Sequence, residues 1–354
     1  MIMDRKNYIH YLNETSRMVM PSILASIENA VGETPELEEI LSLLTKQRMA
    51  KPLLKPALFR LSYEVCGGKE FEKFIPFAAA CEMLNISSYQ ANSSFDNKLG
   101  VLSKKDKDSQ VIAAMITREL AVRLLYKLQD NYVDLKTIAS LSNCLSTSNL
   151  YIYKAQHYDL NLLSFYNQQM VDRYVSDREL FLRDYHTRCY YGSGIFSGQV
   201  ALAGAIAANA DDAHKDALKE FGEIYGTALH KINDLGDFLP GEERNGRLYQ
   251  DFFCDIRNGR LTLPVYELYT RHKDIYSEIM SFLKEEKPDY DTIHSLFISL
   301  NIVDDVKEMA KKAYVAAKNI VKDIPFSEQK GGLFSLLSVL KSNKYYHRAK
   351  KQIK

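Results

Sequence analysis

The segment DRYVSDRELFLRDYHTR, residues 172–188, carries the pattern that decides the fold class. Its apolar residues recur at helical spacing among aspartate and arginine: Val175, Leu180, Leu182 and Tyr185. The segment lies within residues 101–191, where neither glycine nor proline occurs, and proline is absent throughout residues 77–238. Because the turns of a many-stranded sheet need those two residue types, the gap favours long uninterrupted helices.

A second helical pattern occupies residues 304–322, and its apolar members are Val306, Met309, Ala313, Val315, Ala316 and Ile320. No stretch alternates with a period of two between hairpin turns, and no repeat of fixed period is visible. Gly67 and Gly68 mark the end of one helix, and Thr262 is the predicted N-cap of another. We therefore predict an all-α protein in which residues 1–354 form a single domain of many long helices.

The overall composition excludes several functional classes. The 354 residues include 46 lysines and arginines against 45 aspartates and glutamates, so bulk charge favours no strongly charged partner. Without a basic surplus or a matching motif, nucleic-acid binding has no support. The five cysteines are scattered without a CxxC pair, which indicates a reducing compartment. Since the start also lacks the apolar core of a signal peptide, we expect a cytoplasmic protein.

One uncharged stretch, residues 189–210, is long enough to span a bilayer. It contains four glycines, a glutamine and an asparagine but few large aliphatic residues. Small residues of this kind let helices pack closely. We interpret the stretch as a buried central helix, and we expect no transmembrane span.

The most informative chemistry lies in residues 226–238. If this segment is helical, His230, Asn233, Asp234 and Asp237 fall at i, i+3, i+4 and i+7 and form one polar stripe. Two carboxylates and a carboxamide offer hard oxygen ligands to Mg²⁺, which takes few carboxylates together with water and phosphate oxygens. The alternative from spacing alone is a solvated acidic helix end before a loop.

A second polar cluster lies in residues 80–98. Asn92 and Asp96 share a helix face at i and i+4, and Ser93 and Ser94 add hydroxyl groups. Taken alone, this density of serine and asparagine is also typical of a helix end or a polar turn.

Together these segments resemble the trans-isoprenyl diphosphate synthase family, whose helices carry DDxxD motifs. The second such motif reads NDLGD at residues 233–237, and it is followed by Asp255 and by GRLTLP at residues 259–264. Upstream, QHYDL at residues 156–160 resembles the family's GQxxDL segment. The step from Lys55 to Pro56 and the segment NSSFD at residues 92–96 stand, in order, where the family has its first basic and first acidic motifs.

The resemblance implies an isoprenoid synthase bundle of long antiparallel helices around a deep central cavity. It implies Mg²⁺ as cofactor and transfer of a prenyl cation from an allylic diphosphate to isopentenyl diphosphate. Asp234 and Asp237 are the implied catalytic residues. The implied metal ligands are Asn92, Asp96, Asn233, Asp234 and Asp237. The implied diphosphate-binding residues are Lys51, Lys55, Gln156, Asp159, His230 and Arg260. The likeness also suggests a homodimer, or a heterodimer with a related synthase.

The chain departs from the family pattern at several diphosphate-binding positions. In the first acidic motif only Asp96 keeps its carboxylate, and the second motif begins with Asn233. The lysine of the family's KTxxL segment falls at Gly192, and His230 replaces a glutamine. Because summed charge drives Mg²⁺ binding, we expect weakened metal affinity at the first motif.

Three functions therefore stay open at this point. The first is an active prenyltransferase with a modified first site. The second is a class I terpene cyclase on the same fold, since Asn233 and Asp234 begin like its NDxx(S/T)xxxE motif. The third is a non-catalytic subunit that pairs with an active synthase.

Two further features bear on the substrate. Ser87 and Ser88 precede the first motif, at positions where bulky side chains form the floor of the cavity in the family. Small residues there predict a deep cavity and a long prenyl chain. An aromatic side chain such as Tyr89 is the alternative floor. The basic C-terminal tail, residues 341–354, resembles the tail by which some short-chain synthases close over substrate, but its composition favours a frayed, solvated tail.

Overall fold

A computed structural model describes residues 5–32, 52–95, 104–238, 253–284, 290–300, 302–324 and 330–341. Helices account for the regular structure of these residues, apart from a single antiparallel bridge between Ser164 and Arg260. The predicted all-α class is confirmed. Two sequence-predicted site residues, Lys51 and Asp96, and most of the basic tail lie outside the described residues.

The α-helices follow one another along the whole chain. Their bounds are α1 Arg5–Val31, α2 Leu54–Val65, α3 Ile75–Phe95, α4 Lys104–Asp130, α5 Leu135–His157, α6 Gln168–Ser176, α7 Arg178–Cys189, α8 Ile195–Ala207, α9 Asp212–Leu235, α10 Cys254–Arg257, α11 Leu263–Arg271, α12 Lys273–Phe282, α13 Tyr290–Ile298, α14 Ile302–Asp323 and α15 Lys330–Lys341. A 3₁₀ turn, Phe71–Phe74, precedes α3.

The segment of residues 172–188 forms two helices, α6 and α7. The break falls at Asp177, whose backbone is extended and whose side chain accepts a hydrogen bond from the backbone N–H of Leu180 at 3.0 Å. An aspartate at this position satisfies one of the orphan donors of a new helix. The helical periodicity therefore predicted the class of structure, and the cap residue set the boundary.

The centre of the bundle is the contact between α8 and α9. A Cβ atom on Gly222 would lie 2.4 Å from the carbonyl oxygen of Ser197, and one on Gly226 would lie 2.2 Å from that of Ser193. These glycines let the two backbones approach closely. The uncharged residues 189–210 are largely buried here, as predicted. Among the described residues, no helix is both long and apolar enough to cross a membrane.

Helix ends fall where glycine and proline predicted them. The helix α2 ends before Gly67, which has a positive φ of 88° that suits glycine. Thr262 takes the N-cap position of α11, with Pro264 in the first turn. The Thr262 hydroxyl makes no capping bond, so the extended backbone and the proline define this start.

Two short π-helical turns directly follow the helices α5 and α7. They are Tyr158–Leu162, which we call π1, and Tyr190–Gly194, which we call π2. Each inserts an extra residue after a long helix and so redirects the side chains that follow. Such turns concentrate at functional sites. Here π1 carries Asp159 and π2 carries Gly192 and Ser193.

Candidate active site

A cavity of about 320 Å³ opens where α3, α5, α7 and α9 meet the two π turns. It brings together ten residues that the sequence analysis selected from separate segments: Lys55, Ser88, Asn92, Gln156, Asp159, His230, Asn233, Asp234, Asp237 and Arg260. The polar cluster that contains Asn92 and the polar stripe of residues 230–237 therefore line the same cavity, although they are more than one hundred residues apart in sequence. The alternative of a solvated helix end does not describe the buried Asp234.

Asp234 lies at the wall of this cavity and is held from two sides. Its Oδ2 accepts a hydrogen bond from the Tyr185 hydroxyl at 2.8 Å and one from Nη1 of Arg188 at 2.7 Å. The Asp234 side chain is only 7 % exposed. Hydrogen bonds from a cation are among the stronger ones in proteins, so this carboxylate has a fixed orientation.

Arg188 joins the second acidic motif to the upstream segment. Besides contacting Asp234, its Nε donates to Oδ1 of Asp159 at 2.6 Å, and the arginine side chain is 8 % exposed. Burial alone would lower the pKa of Arg188, but the carboxylates of Asp159 and Asp234 outweigh it and raise that pKa well above its ordinary value. The guanidinium therefore stays charged.

The sequence analysis missed Arg188, although a signal was present. It follows Tyr185 by three residues and Phe181 by seven, so it shares their buried helix face. An arginine on an apolar face needs buried acidic partners. The two motif aspartates are the partners that the structure supplies.

Asp237 organises the backbone that follows the second motif. Its Oδ1 and Oδ2 accept hydrogen bonds from the backbone N–H groups of Cys254 and Asp255, at 3.0 and 2.9 Å. It thereby caps the short helix α10 and holds Asp255 at the cavity. Whether Asp237 also contacts metal stays a prediction.

Arg260 reaches the cavity from the turn of residues 259–264, where it forms the isolated antiparallel bridge with Ser164. The backbone N–H of Leu261 donates to the carbonyl of Leu163 at 2.8 Å, and that of Phe165 donates to the carbonyl of Gly259 at 2.8 Å. Nη1 of Arg260 donates to the carbonyl oxygen of Asp159 at 3.1 Å. The loop after π1 and the turn of residues 259–264 are thus tied together, and a cationic side chain lines the cavity.

Lys55 supplies a third cationic group from α2. Its Nζ donates to Oγ of Ser197 at 2.6 Å and lies 4.5 Å from the ring centroid of Phe196. Both partners belong to α8, so the ammonium group is positioned by the central helix.

Two family departures prove to be neighbours in space. Nδ1 of His230 lies 3.0 Å from Oγ of Ser193, and a Cβ atom on Gly192 would lie 2.8 Å from Cε1 of His230. A longer side chain at Gly192 would therefore meet the imidazole ring. Glycine at one position and histidine at the other are mutually compatible, which gives a packing reason for both replacements.

The two serines expected at the cavity floor behave differently. Oγ of Ser87 donates to the carbonyl oxygen of Ala114 on α4 at 2.8 Å, whereas Oγ of Ser88 donates to the carbonyl of Asn85 at 2.7 Å. Only Ser88 lines the main cavity, and both line a narrow neck of about 10 Å³ beyond it.

A second cavity of about 430 Å³ follows the neck, between α3, α4 and α5. The neck shares Ser88, Asn92, Ile152 and Gln156 with the main cavity. It shares Leu84 and Asn149 with the second cavity. The three spaces therefore follow one another in a row.

The donor set of the main cavity suits a hard divalent cation. Four carboxylates line it, those of Asp159, Asp234, Asp237 and Asp255, against three cationic side chains. Within the described ranges, no group of three or more acidic, histidine or cysteine side chains is arranged around a metal position. Mg²⁺ is usually held by one or two carboxylates with substrate phosphates rather than by a complete protein cage, so the residues fit a cation that arrives with a phosphate ligand.

Known proteins resemble this chain in sequence and in fold. No family model matches the chain. The octaprenyl diphosphate synthase of Haemophilus influenzae is 24 % identical over 175 residues, 48 % of this chain and 51 % of the relative. The prenyl transferase of Cyanophora paradoxa is 21 % identical over 155 residues, 44 % of this chain and 47 % of the relative. The chain thus spans about half the length of the curated relatives it matches.

Solved structures resemble the whole fold. A polyprenyl synthase from Caulobacter crescentus, solved with calcium and isoprenyl diphosphate, has a TM-score of 0.75 at 17 % identity, covering 95 % of this chain and 97 % of that one. A geranylgeranyl pyrophosphate synthetase from Pyrococcus horikoshii has a TM-score of 0.72 at 17 % identity, covering 95 % and 99 %. The fold is that of these synthases, which are enzymes, and the resemblance found in the sequence is confirmed.

Proposed function

We propose that this chain is a prenyltransferase that binds an allylic diphosphate in the main cavity and transfers its prenyl group to isopentenyl diphosphate. The supporting observation is the meeting of motif residues from α2, α3, α5, α9 and the turn of residues 259–264 around one cavity.

The cationic side chains would bind the diphosphate. Lys55 and Arg260 line the cavity with His230, and each is positioned by contacts to the bundle. Breaking the bond between carbon and diphosphate oxygen builds negative charge on the departing group, and prearranged cations lower that barrier. Ile152 and Phe196, which also line the cavity, would exclude water from the prenyl cation.

We propose Mg²⁺ as the cofactor. Asn233, Asp234 and Asp255 would hold it, because they present oxygen atoms to the cavity. The four lining carboxylates outnumber the three cations, so a diphosphate entering alone would meet net negative charge. When bound, Mg²⁺ supplies Lewis-acid neutralisation of the departing diphosphate.

The row of cavities supports a long prenyl chain. The diphosphate would bind in the main cavity, and the growing tail would pass the neck at Ser88 and enter the second cavity between α4 and α5. The neck is narrow, so side chains on α3 and α5 must separate for a tail to pass. We propose Ser87 and Ser88 as the small residues that make this separation possible.

A non-catalytic partner subunit is the second candidate. It is favoured by the engagement of Asp234 with Arg188 and Tyr185, since a carboxylate in an ion pair is a weaker metal ligand. In this case the chain would keep the fold and the cavity without turning over by itself.

We also propose that the chain forms a dimer through an apolar face on α4 and α5. Apolar side chains protrude there at helical spacing: Ile112, Met115, Val122 and Tyr126 on α4, and Leu150 and Tyr153 on α5. The chain has a formal net charge of only +1, so two copies would not repel each other strongly. A second copy is therefore the occupant that we assign to this face.

Product analysis tests the activity. The protein is incubated with Mg²⁺ and farnesyl or geranylgeranyl diphosphate, with and without isopentenyl diphosphate. Longer prenyl diphosphates that appear only with isopentenyl diphosphate would establish the transferase. Hydrocarbons or alcohols formed without it would establish a cyclase. No turnover, together with co-purification of a second synthase, would establish the partner subunit.

A further inference from the structure

Two carboxylates from different motif segments share one buried cation. Asp159 belongs to π1 and Asp234 to α9, and the Arg188 guanidinium contacts them at 2.6 and 2.7 Å. Nη2 of Arg188 takes part in neither contact. Because a single planar group touches both acids, the two carboxylates lie on either side of it within reach of one central charge.

Burying these three ionised groups would lower the stability of the folded state unless their charges balance. All three side chains are mostly buried, with exposures of 8 % for Arg188, 18 % for Asp159 and 7 % for Asp234. Two close carboxylates without a cation between them would repel each other strongly in a medium of low dielectric constant. The folded state therefore requires a positive charge at this point.

The same pair of acids would otherwise suit a divalent ion. Both line the cavity, and neighbouring oxygen donors include Asn233 and Gln156. A cation placed between two carboxylates, with carboxamides and water to complete its shell, is an ordinary site for Ca²⁺ or Mg²⁺. Arg188 contacts both acids, as a bridging ion would.

We propose that Arg188 is a built-in replacement for a divalent cation between Asp159 and Asp234. It neutralises the pair permanently, so that this part of the cavity keeps its shape without metal and no metal binds between the two acids. Divalent ions can then enter the cavity only with a diphosphate, at Asn233, Asp255 and Oδ1 of Asp234, since Tyr185 and Arg188 both contact its Oδ2. Arg188 is thus a positioning residue for Asp234.

The inference predicts that removing the guanidinium creates a metal site. In Arg188→Met, Asp159 and Asp234 face each other without a cation, which lowers stability. Added Ca²⁺ or Mg²⁺ binds between them and restores it. We expect 10 mM CaCl₂ to raise the melting temperature of Arg188→Met by about 5 °C or more, through binding of metal to the folded state alone. The wild-type protein should shift much less.

Three variants make the test specific. Arg183→Met removes an exposed arginine from the same helix and should respond to metal as the wild type does. Arg188→Lys keeps a charge between the acids and should also behave like wild type. In Arg188→Met with Asp234→Asn, one carboxylate is gone and the metal effect should disappear. Potassium chloride at equal ionic strength separates metal binding from charge screening.

Metal alone serves as the probe, so the outcome does not depend on whether the chain transfers prenyl groups. An equal calcium shift in Arg188→Met and in Arg183→Met would overturn the proposal. If Arg188→Met does not fold even with calcium, titration calorimetry of the wild-type protein with CaCl₂ decides. Calcium binding that is lost in Asp234→Asn would show that the acids hold metal despite Arg188, and the proposal would fail. Absence of such Asp234-dependent binding would support it.

Discussion

At the scale of single residues, Asp234 has both a proposed chemical role in the cavity and a structural role in an ion pair. It presents oxygen to the cavity, and its Oδ2 is held by Tyr185 and Arg188. A substitution there consequently changes both chemistry and packing. Asn keeps the shape of the side chain and can still accept a hydrogen bond, so it separates the two tasks better than Ala does.

We expect Asp234→Asn to lower diphosphate-dependent turnover by about 100-fold or more while the protein keeps its helical circular dichroism spectrum. Loss of the charge weakens the hold on Mg²⁺ and leaves Arg188 with Asp159 alone. Steady-state product formation measures the effect. Asp172→Asn, on α6 and hydrogen-bonded only at the surface to Gln168, is the control and should keep full activity. Undiminished turnover in Asp234→Asn would remove this residue from the mechanism.

Gly192 and His230 should be coupled in energy. In the wild-type background, Gly192→Ala pushes a methyl group to 2.8 Å from the imidazole ring and lowers stability. In a His230→Ala background the ring is absent and the close neighbour that remains is Cβ of Ala155 at 3.3 Å, so the same change should lower stability less. Urea denaturation of the four proteins in this double-mutant cycle should give a coupling of about 1 kcal/mol. Additive effects would contradict the contact.

At the scale of secondary-structure elements, the contact between α8 and α9 positions the site. The glycines on α9 bring it against π2, and π2 in turn carries Gly192 and Ser193 to the cavity. A helix with larger side chains in these places would hold π2 further away. The geometry of the cavity therefore depends on residues that do not line it.

We expect Gly226→Ala to lower the free energy of unfolding by about 1–3 kcal/mol, since its Cβ would meet the backbone oxygen of Ser193 at 2.2 Å. Displacement of π2 should also weaken ligand binding. Chemical denaturation and binding of geranylgeranyl diphosphate measure the two effects. Gly198→Ala is the matched control and should lose less, because its nearest neighbour is the flexible Glu223 side chain and its nearest backbone oxygen, that of Lys219, lies at 3.0 Å rather than 2.2 Å. An equal loss in both variants would argue against a backbone collision.

At the scale of the whole molecule, the apolar face of α4 and α5 should join two copies. Met115 and Tyr126 are 59 % and 68 % exposed, and Tyr126 also borders the second cavity. We expect sedimentation analysis to give a dimer for the wild type and a monomer for Met115→Asp with Tyr126→Asp, because two buried like charges per copy oppose association. Ile9→Asp, at an exposed apolar residue on α1, is the control. A dimer unaffected by the double substitution would place the interface elsewhere.

Buried thiols should make stability fall in alkaline solution. Burial raises the pKa of Cys144 from 9.0 to about 12 and that of Cys189 likewise to about 12. Because the folded-state pKa lies above the unfolded one, this contribution to stability is complete below pH 9 and is lost as the pH rises toward 12. At pH 9.5, ionisation of each thiol in the unfolded state should lower the free energy of unfolding by about 1 kcal/mol.

Urea midpoints at pH 7.5 and 9.5 measure this loss. Cys144→Ala should show a smaller difference between the two pH values than the wild type, since one ionisable thiol is gone. Leu141→Ala, on the same helix, also removes buried volume but titrates nothing, so its pH dependence should match the wild type. Identical pH dependence in all three proteins would show that Cys144 ionises equally in both states.

The sequence by itself determined the helical class, the helix end at Gly67, the helix start at Thr262 and the polar stripes. These follow from local rules: apolar periodicity, the positions of glycine and proline, and residue types that ligate metal or phosphate. Of the ten predicted site residues that line the main cavity, helical spacing indicated Asn92, His230, Asn233, Asp234 and Asp237, and the family resemblance implied Lys55, Ser88, Gln156, Asp159 and Arg260. The same rules did not give the break at Asp177 within residues 172–188, because a cap competes with periodicity over only a few residues.

Only the tertiary structure decided how the charges are used. Arg188 contacts Asp159, which lies 29 positions earlier in the sequence, and Asp234, which lies 46 positions later. No local pattern encodes contacts over such separations. The capping of α10 by Asp237, the turning of Ser87 toward α4 and the contact between Gly192 and His230 are likewise products of packing. Helix class follows from interactions within a few turns, whereas the electrostatics of a buried site depends on which distant side chains the folded chain brings together.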